Sequence, residues 1–253
     1  MKTPMKIIAG NWKMNLSREG SVQLARDVSG IPHDPGTTTL LVFPATIWVA
    51  PVADAVAGTS IQVGGQNCHT EPKGTFTGEV SAGMLAEVCS YGMAGHSERR
   101  HVFGETDEQV AAKVRAILDA NMTVVLCVGE TLEEREAGAA ESVVERQLAS
   151  GLADVSESEV SRIVIAYEPV WAIGTGVSAS PDDAQAMCGY VRSRLKSRFP
   201  ADGASIPVLY GGSVTPENAK DLLGQVDIDG GLVGGASLNV QSFRAIVEAS
   251  QSV

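Results

Sequence analysis

The sequence predicts an α/β fold in which eight parallel strands, ringed by helices, close into a single (β/α)8 barrel. Eight short apolar runs recur along the 253 residues, and amphipathic segments lie between them with no linker or low-complexity stretch. Several runs are continuously apolar, which is typical of strands buried on both faces of a parallel sheet. We therefore expect one barrel domain over residues 1–253. An open, doubly wound sheet is the alternative that shares this pattern.

The predicted strands are the runs 6–9, 39–43, 61–65, 91–94, 123–128, 163–166, 207–210 and 231–233. Four helix starts are also marked in the sequence. Two have the spacing of a capping box, and two place a cap residue before a proline at the first helical position. These starts are Thr106 with Gln109, Thr131 with Glu134, Ser180 before Pro181, and Thr215 before Pro216.

The composition limits the possible partners. The formal net charge is −11 and the pI is about 4.8. Nucleic acids and anionic membranes bind clustered basic surface, so we expect neither as a partner. An anionic small substrate remains possible, because local dipoles and one lysine can hold a phosphate within an acidic protein.

Cysteine usage and hydropathy indicate a cytoplasmic protein. The cysteines are far apart and form no CxxC pair, which favours free thiols in a reducing compartment and no metal site. Residues 1–6 lead straight into the first predicted strand, so we expect no signal peptide. The most apolar stretch, 40–58, is interrupted by prolines and an aspartate and cannot span a bilayer. The cysteines are Cys68, Cys89, Cys127 and Cys188.

In barrels of this kind the chemistry lies at the C-terminal ends of the strands. After the first run, Asn11 and Lys13 are candidates for holding an anion, although a solvated loop lysine would look the same. After the fourth run, Ser97 and Glu98 could open a short helix behind His96. The positive end of that helix would favour a neutral imidazole able to donate to a carbonyl. A core histidine without catalytic role is the alternative.

The segment after the sixth run is the most informative. Glu168 ends the strand, Pro169 stiffens the exit, and an apolar tip ending at Ile173 precedes Gly174. Such a segment, 169–179, can act as a lid that excludes water and turns backbone N–H groups towards a phosphate. A surface loop beside a strand-end glutamate is the alternative.

The same segment contains a dinucleotide-like pattern that does not fit its context. Residues 174–179, GTGVSA, fit G-x-G-x-x-A, but the first glycine falls several residues after the strand. The acidic residue expected about 20 positions later is replaced by the basic run RSRLK at 192–196. We therefore expect no nicotinamide cofactor.

The turns after the last two runs carry paired glycines. Tyr210 is followed by GGS, ending at Ser213, and Gly234 with Gly235 follows the eighth run. Loops seven and eight form the frequent phosphate site of these barrels, where glycines let N–H groups approach the phosphate oxygens. Tight turns without a ligand are the alternative.

Five segments together resemble the triosephosphate isomerase family. They are NWKMN at 11–15, AGHSERR at 94–100, AYEPVWAIGTG at 166–176, YGGS at 210–213 and VGGAS at 233–237. Their order and spacing, from about residue 6 to about residue 250, follow the family. The resemblance implies interconversion of dihydroxyacetone phosphate and D-glyceraldehyde 3-phosphate through an enediolate, without metal or cofactor.

The resemblance also implies a role for each site residue. Glu168 matches the base, His96 the electrophile that polarises the carbonyl, and Asn11 and Lys13 the groups that hold the oxygen and supply positive charge. The phosphate-binding positions are Gly174, Ser213, Gly234 and Gly235, and the supporting positions are Ser97, Glu98, Ile173 and Cys127. The family is itself a standard case of a neutral catalytic histidine and a closing loop.

Outside the catalytic segments, the resemblance implies a homodimer. The long polar loop from 66 to 79 matches the one that inserts into a neighbouring subunit, with Thr77 near the partner's active site. Two positions depart from the family. Val177-Ser178-Ala179 replaces the common Lys-Thr-Ala at the lid hinge, which we expect to affect closing rates more than activity. Asn239 replaces a common lysine, with little expected effect.

Two rival functions fit the residues less well. An aldolase-like barrel enzyme would need a Schiff-base lysine at a strand end such as the sixth, where this chain has Glu168. A catalytically silent barrel kept for binding a partner should lose Lys13, His96 or Glu168, and this chain keeps all three.

Overall fold

The computed structural model describes residues 5–173 and 179–252, in which eight parallel strands close into a barrel. The strands pair in chain order and β8 also pairs with β1, which closes the sheet. The open-sheet alternative is therefore wrong. The strands are β1 Lys6–Asn11, β2 Thr38–Phe43, β3 Gln62–Gly65, β4 Tyr91–Ala94, β5 Thr123–Val128, β6 Ile163–Tyr167, β7 Val208–Tyr210 and β8 Gly230–Val233.

Within the same residues, ten α-helices surround the barrel. They are α1 Arg18–Ser29, α2 Val49–Ala55, α3 Ala82–Ala86, α4 Ser97–His101, α5 Asp107–Asp119, α6 Leu132–Glu136, α7 Ala140–Gly151, α8 Pro181–Arg198, α9 Ala219–Leu223 and α10 Val240–Gln251. Short 3₁₀ segments occupy Thr46–Trp48, Glu157–Arg162, Val170–Ala172, Gly203–Ser205 and Gly235–Leu238. None of the helices within the described residues has the length and apolar character needed to cross a membrane.

Each predicted strand agrees with an observed one to within two residues at either end. Both capping boxes are confirmed, at the starts of α5 and α6. Ser180 caps α8 and Pro181 is its first residue, as predicted.

The predicted helix start at Thr215-Pro216 is wrong, since α9 begins later, at Ala219. The Asn218 side chain accepts a hydrogen bond from the Thr215 N–H at 2.8 Å and donates to the Ser213 carbonyl at 3.0 Å. These two bonds hold the intervening residues in a turn, because the Asn218 amide takes the role of a local backbone partner.

Alternation along each strand divides the core into two clusters. One cluster fills the space between the barrel and its helices. The other fills the barrel interior and consists of Ile7, Ala9, Leu41, Phe43, Met93, Val125, Cys127, Val164, Ala166, Leu209 and Leu232. Successive side chains point to opposite faces of a strand. Ala9 and Ala166 point into the barrel, so the residues two positions later, Asn11 and Glu168, point to the same side and reach the C-terminal mouth.

We expect Asn239→Ala to lower the free energy of unfolding by about 1 kcal/mol, the usual cost of losing an N-cap side chain. Asn239 begins α10 by accepting a hydrogen bond from the Ser242 N–H at 3.0 Å. The measurement is urea unfolding at one fixed protein concentration. Asn239→Ser, which keeps a capping oxygen, should recover most of the loss. Gln241→Ala, at an exposed position of the same helix, should stay within about 0.5 kcal/mol of the parent.

Candidate active site

A cavity of about 280 Å³ opens at the C-terminal mouth of the barrel. It is lined by Asn11, Lys13, His96, Glu168, Ile173, Gly211, Gly212, Ser213, Val214, Thr215, Leu232, Gly234, Gly235 and Ala236. A larger cavity of about 700 Å³ lies at the opposite mouth, around Lys6 and Tyr91, and none of the predicted site residues line it. The chemistry predicted from the sequence therefore points to the smaller cavity, where strand ends from β1, β4, β6, β7 and β8 meet.

Glu168 is almost fully enclosed, with 2% of its surface exposed. Its Oε2 accepts a hydrogen bond from the Ser97 backbone N–H at 2.8 Å, and the Ser97 Oγ lies 3.4 Å from Oε1. The same Oε1 lies 3.1 Å from His96 Nε2. Burying a carboxylate is costly unless donors satisfy it, and the first backbone amide of α4 is one such donor.

His96 has a defined tautomer in this arrangement. Its Nδ1 accepts a hydrogen bond from the Glu98 backbone N–H at 3.2 Å, which caps α4. A ring nitrogen that accepts carries no proton, so the imidazole is neutral and its Nε2 carries the hydrogen. That N–H points to Glu168 and into the cavity. The expected short helix behind His96 is present, and the Glu98 N–H in its first turn is the donor to Nδ1.

Lys13 places a cation at the edge of the cavity. Its backbone has a φ of 51°, in the left-handed region, and two side chains hold it there. Asn11 Oδ1 accepts the Lys13 N–H at 3.0 Å, and Gln66 Nε2 donates to the Lys13 carbonyl at 2.9 Å. The Lys13 Nζ lies 2.6 Å from Glu98 Oε1 in an ion pair that is partly exposed. The strain at Lys13 is therefore maintained by the residues around it.

The other half of the cavity is built from small residues. Ser213 follows β7, and Gly234 and Gly235 follow β8, where Gly235 begins a 3₁₀ turn. A substrate phosphate placed here would meet backbone rather than bulky side chains. Gly174, predicted to bind the same phosphate, lies outside the described residues, as do Val177 and Ser178 of the predicted hinge.

The described start of the predicted lid is anchored to a residue that was not among the predicted site residues. Glu130, which is fully buried, accepts hydrogen bonds from Tyr167 OH at 3.0 Å and Trp171 Nε1 at 2.9 Å. Arg135 stacks over the Trp171 ring, 4.7 Å from its centroid. Burial, followed by the Glu130 charge, raises the pKa of Tyr167, which keeps its hydroxyl a donor. Ile173, further along, lines the cavity.

Several residues at this mouth of the barrel were absent from the predicted set, and strand position could have identified them. Gly211, after β7, approaches Glu168 so closely that an added Cβ would lie 2.8 Å from the Glu168 Cγ. Leu232 has the interior parity of β8. Glu130 lies just beyond β5, and the strand-end rule applies to that strand as it does to the others.

Cys127 lies directly behind Glu168, in the barrel interior. Complete burial, followed by the nearby Glu168 carboxylate, raises the pKa of its thiol well above the usual value. It is therefore a neutral wall of the site. Within the described residues, no three His, Cys, Asp or Glu side chains are grouped so as to hold a metal ion.

Thr77, the predicted dimer-loop residue, is exposed and is not among the residues that line the cavity. Its neighbour Phe76 is also exposed and packs against His69, with ring centroids 4.1 Å apart. The loop that carries Thr77 thus presents an apolar ring on its outer surface.

Comparison with known proteins gives one consistent family. The family model described as triosephosphate isomerase matches residues 6–250. A triosephosphate isomerase of Roseiflexus castenholzii is 48% identical over 252 residues, covering 98% of this chain and 97% of that protein. One of Rhodopirellula baltica is 46% identical over 248 residues, covering 97% and 98% respectively. The crystal structure of triosephosphate isomerase from Bartonella henselae superposes with a TM-score of 0.89 at 39% identity, covering 97% of this chain and 99% of that one.

We expect all four thiols to react slowly in the folded protein at pH 8. Cys68, Cys127 and Cys188 are buried and Cys89 is half-buried, and none forms a disulfide. Burial raises the pKa of Cys68 and of Cys89 to about 11, so only about one in a thousand molecules would carry the reactive thiolate at pH 8. Titration with a chromogenic disulfide should detect all four only after unfolding, and Cys89 first as the pH rises. A rapidly reacting native thiol would contradict this.

Proposed function

The chain belongs to the triosephosphate isomerase family, and from that premise we propose how its residues perform the reaction. The enzyme interconverts dihydroxyacetone phosphate and D-glyceraldehyde 3-phosphate, an isomerisation of glycolysis. The proposed roles of the residues rest on one observation: Glu168, His96 and Lys13 line the same cavity. A carboxylate, a neutral imidazole and a cation are the groups that an enediolate mechanism requires.

Glu168 is the proposed base. Its carboxylate removes a proton from the carbon next to the substrate carbonyl, and the electron pair moves onto the carbonyl oxygen to give an enediolate. The hydroxyl proton on the deprotonated carbon then passes to the former carbonyl oxygen, and the same carboxyl group returns its proton to the former carbonyl carbon, which completes the isomerisation with no external reagent. Substrate bound between Glu168 and His96 would replace their present 3.1 Å contact. General base catalysis of this kind is worth about 10²–10⁴-fold.

His96 and Lys13 are the proposed partners of the developing oxyanion. The His96 Nε2–H donates to the substrate oxygen, and the Glu98 N–H holds the ring in that tautomer. Lys13 contributes positive charge, and Asn11 both fixes the Lys13 backbone and reaches the cavity. Donors placed in advance around a developing oxyanion contribute about 3–4 kcal/mol each in related reactions.

The phosphate would occupy the glycine-rich half of the cavity, held by backbone N–H groups at Gly234, Gly235 and Ser213, with Gly174 as a further proposed contact. The lid, 169–179, would close over the bound substrate and exclude water. Without that exclusion an enediolate phosphate can expel its phosphate group, so the lid protects the identity of the product. Binding energy from the phosphate supports the closed state. The mechanism requires no metal and no organic cofactor.

We also propose that the enzyme is a homodimer. Large apolar side chains are exposed on the connections after β1 to β4: Met14, Ile47, Phe76, Met84, Val102 and Phe103. Several large apolar side chains exposed on neighbouring connections are typical of an association site. Thr77, on the same group of connections, would then approach the partner's cavity, as the family resemblance implies.

A cytoplasmic location and the absence of nucleic-acid or membrane partners complete the proposal. The four free cysteines are compatible with a reducing compartment. The net charge of −11 disfavours binding to polyanionic surfaces.

Two rival functions are weaker on the same residues. A Schiff-base aldolase needs a lysine buried at a strand end, whereas the sole lysine among the described cavity residues, Lys13, is ion-paired with Glu98. A silent barrel should have lost one of the three chemical groups that Glu168, His96 and Lys13 supply.

The direct test is a coupled assay with D-glyceraldehyde 3-phosphate, run without added metal or cofactor in the presence of a chelator. Turnover is the expected result. Folded protein without turnover would refute the proposed function.

We expect Glu168→Gln to lower kcat by about three orders of magnitude, because the amide cannot accept the carbon-bound proton. The inhibition constant of glycerol 3-phosphate, which lacks the carbonyl, should change little. Glu87→Gln, an exposed glutamate on the outside of the barrel, is the matched control and should retain parental kcat. Retained activity in Glu168→Gln would assign the base to another residue.

We expect sedimentation at micromolar concentration to show a dimer that Met14→Glu dissociates. Met14 is 94% exposed in the single chain, and a charge at that position would oppose burial between two copies. Val226→Glu is the matched control, because Val226 is 89% exposed but lies in the connection before β8, at the other mouth of the barrel. A monomeric parent protein, or equal dissociation by both substitutions, would contradict the proposed interface.

A further inference from the structure

Gln147, on α7, holds one distant residue at two points. Its side chain is buried, and Oε1 accepts the Gly129 N–H at 2.7 Å while Nε2 donates to the Gly129 carbonyl at 3.2 Å. The carboxamide therefore takes the place that a neighbouring β-strand would occupy beside Gly129. An uncharged side-chain amide is suited to this task because it presents one acceptor and one donor side by side.

Gly129 is in direct contact with the backbone of the proposed base. A Cβ added at Gly129 would lie 1.8 Å from the Glu168 carbonyl oxygen and 2.6 Å from its carbonyl carbon. No side chain can occupy that space, so the two backbones touch. The position of Gly129 therefore sets the position of the Glu168 peptide.

The residues on either side of Gly129 hold the same stretch. The Val128 carbonyl accepts the Glu168 N–H at 2.8 Å, and the Glu130 carbonyl accepts the Val170 N–H at 3.0 Å. Segment 128–130 thus contacts the chain from Glu168 to Val170 at three successive points. Gln147 is the side chain that fixes the middle of this segment from outside.

We propose that Gln147 is a positioning residue for Glu168, acting through Gly129. The inference rests on the proposed function of Glu168 as base. Gln147 itself touches no substrate, since it lies behind the barrel wall. A displacement of about 1 Å at a catalytic group can cost about 10²-fold in rate, so a loosened Gly129 peptide should be visible in kcat.

The first variant is Gln147→Met, which has similar length but neither donor nor acceptor of comparable strength. We expect kcat to fall by about ten- to a hundredfold. The inhibition constant of glycerol 3-phosphate should stay within about twofold, because the phosphate half of the cavity is built from β7 and β8. This separation of kcat from ground-state binding is the readout that a merely structural role would not produce.

Gln185→Met is the matched control. Gln185, on α8, makes the same kind of paired contact, with Oε1 accepting the Asp227 N–H at 3.0 Å and Nε2 donating to Asp227 Oδ2 at 2.7 Å. It lies away from Glu168 and lines no part of the catalytic cavity. Its loss should lower the unfolding midpoint while leaving kcat at the parental value.

Gln147→Glu supplies a second, pH-dependent readout. A protonated carboxyl can both accept from the Gly129 N–H and donate to the Gly129 carbonyl, whereas the ionised form sets an oxygen against that carbonyl. Burial raises the pKa of the introduced carboxyl, so the protonated form persists above its usual range. We expect the ratio of variant to parental kcat to fall as the pH rises through that pKa.

The outcomes separate cleanly. Parental kcat in folded Gln147→Met, or an equal loss of kcat in Gln185→Met, overturns the inference. If Gln147→Met does not fold, a ratio for Gln147→Glu that is flat with pH overturns it. A parent enzyme without turnover instead refutes the proposed function, and with it the inference. Loss of kcat in Gln147→Met alone, with a falling ratio in Gln147→Glu, supports it.

Discussion

Closure of the eight strands determines which side chains can meet. A closed parallel barrel has an interior filled by alternate residues from every strand, so polar groups can converge only where the strands end. Asn11 and Glu168 are the first interior-parity positions beyond that apolar filling, and His96 joins them from the end of β4. The remaining features of the site hold these groups in place after the barrel has brought them together.

Two carboxylates are buried near this mouth, and their surroundings separate their tasks. Glu130 accepts hydrogen bonds from the side chains of Tyr167 and Trp171, which a substrate would not replace. Glu168 is bonded to a backbone amide of α4 and lies within reach of His96, which are contacts that a substrate can replace. A buried carboxylate with exchangeable partners is available for chemistry, whereas one with permanent partners supports the start of the predicted lid.

Most of the fold and the predicted site could be read from local sequence, because the signals are local. Continuous apolar runs identified the strands, and the strand-end rule selected Lys13, His96 and Glu168 from their positions along the chain alone. Gly129 and Gln147 could not be found in that way, since their contact joins residues 18 positions apart and depends on how α7 packs behind β5. The predicted helix start at Thr215 failed for a related reason. The Asn218 side chain bonds to the Thr215 N–H and holds a turn where the sequence predicted the first turn of the helix.

The contact between Gly129 and Glu168 also constrains how this chain can change over evolutionary time. Every amino acid except glycine carries a Cβ, and a Cβ at position 129 would overlap the Glu168 carbonyl. No substitution at position 129 can therefore leave the structure unchanged. Any other residue there requires the end of β6 to move at the same time. We therefore expect the loop after β5 and the end of β6, which leads to Glu168, to change together during evolution.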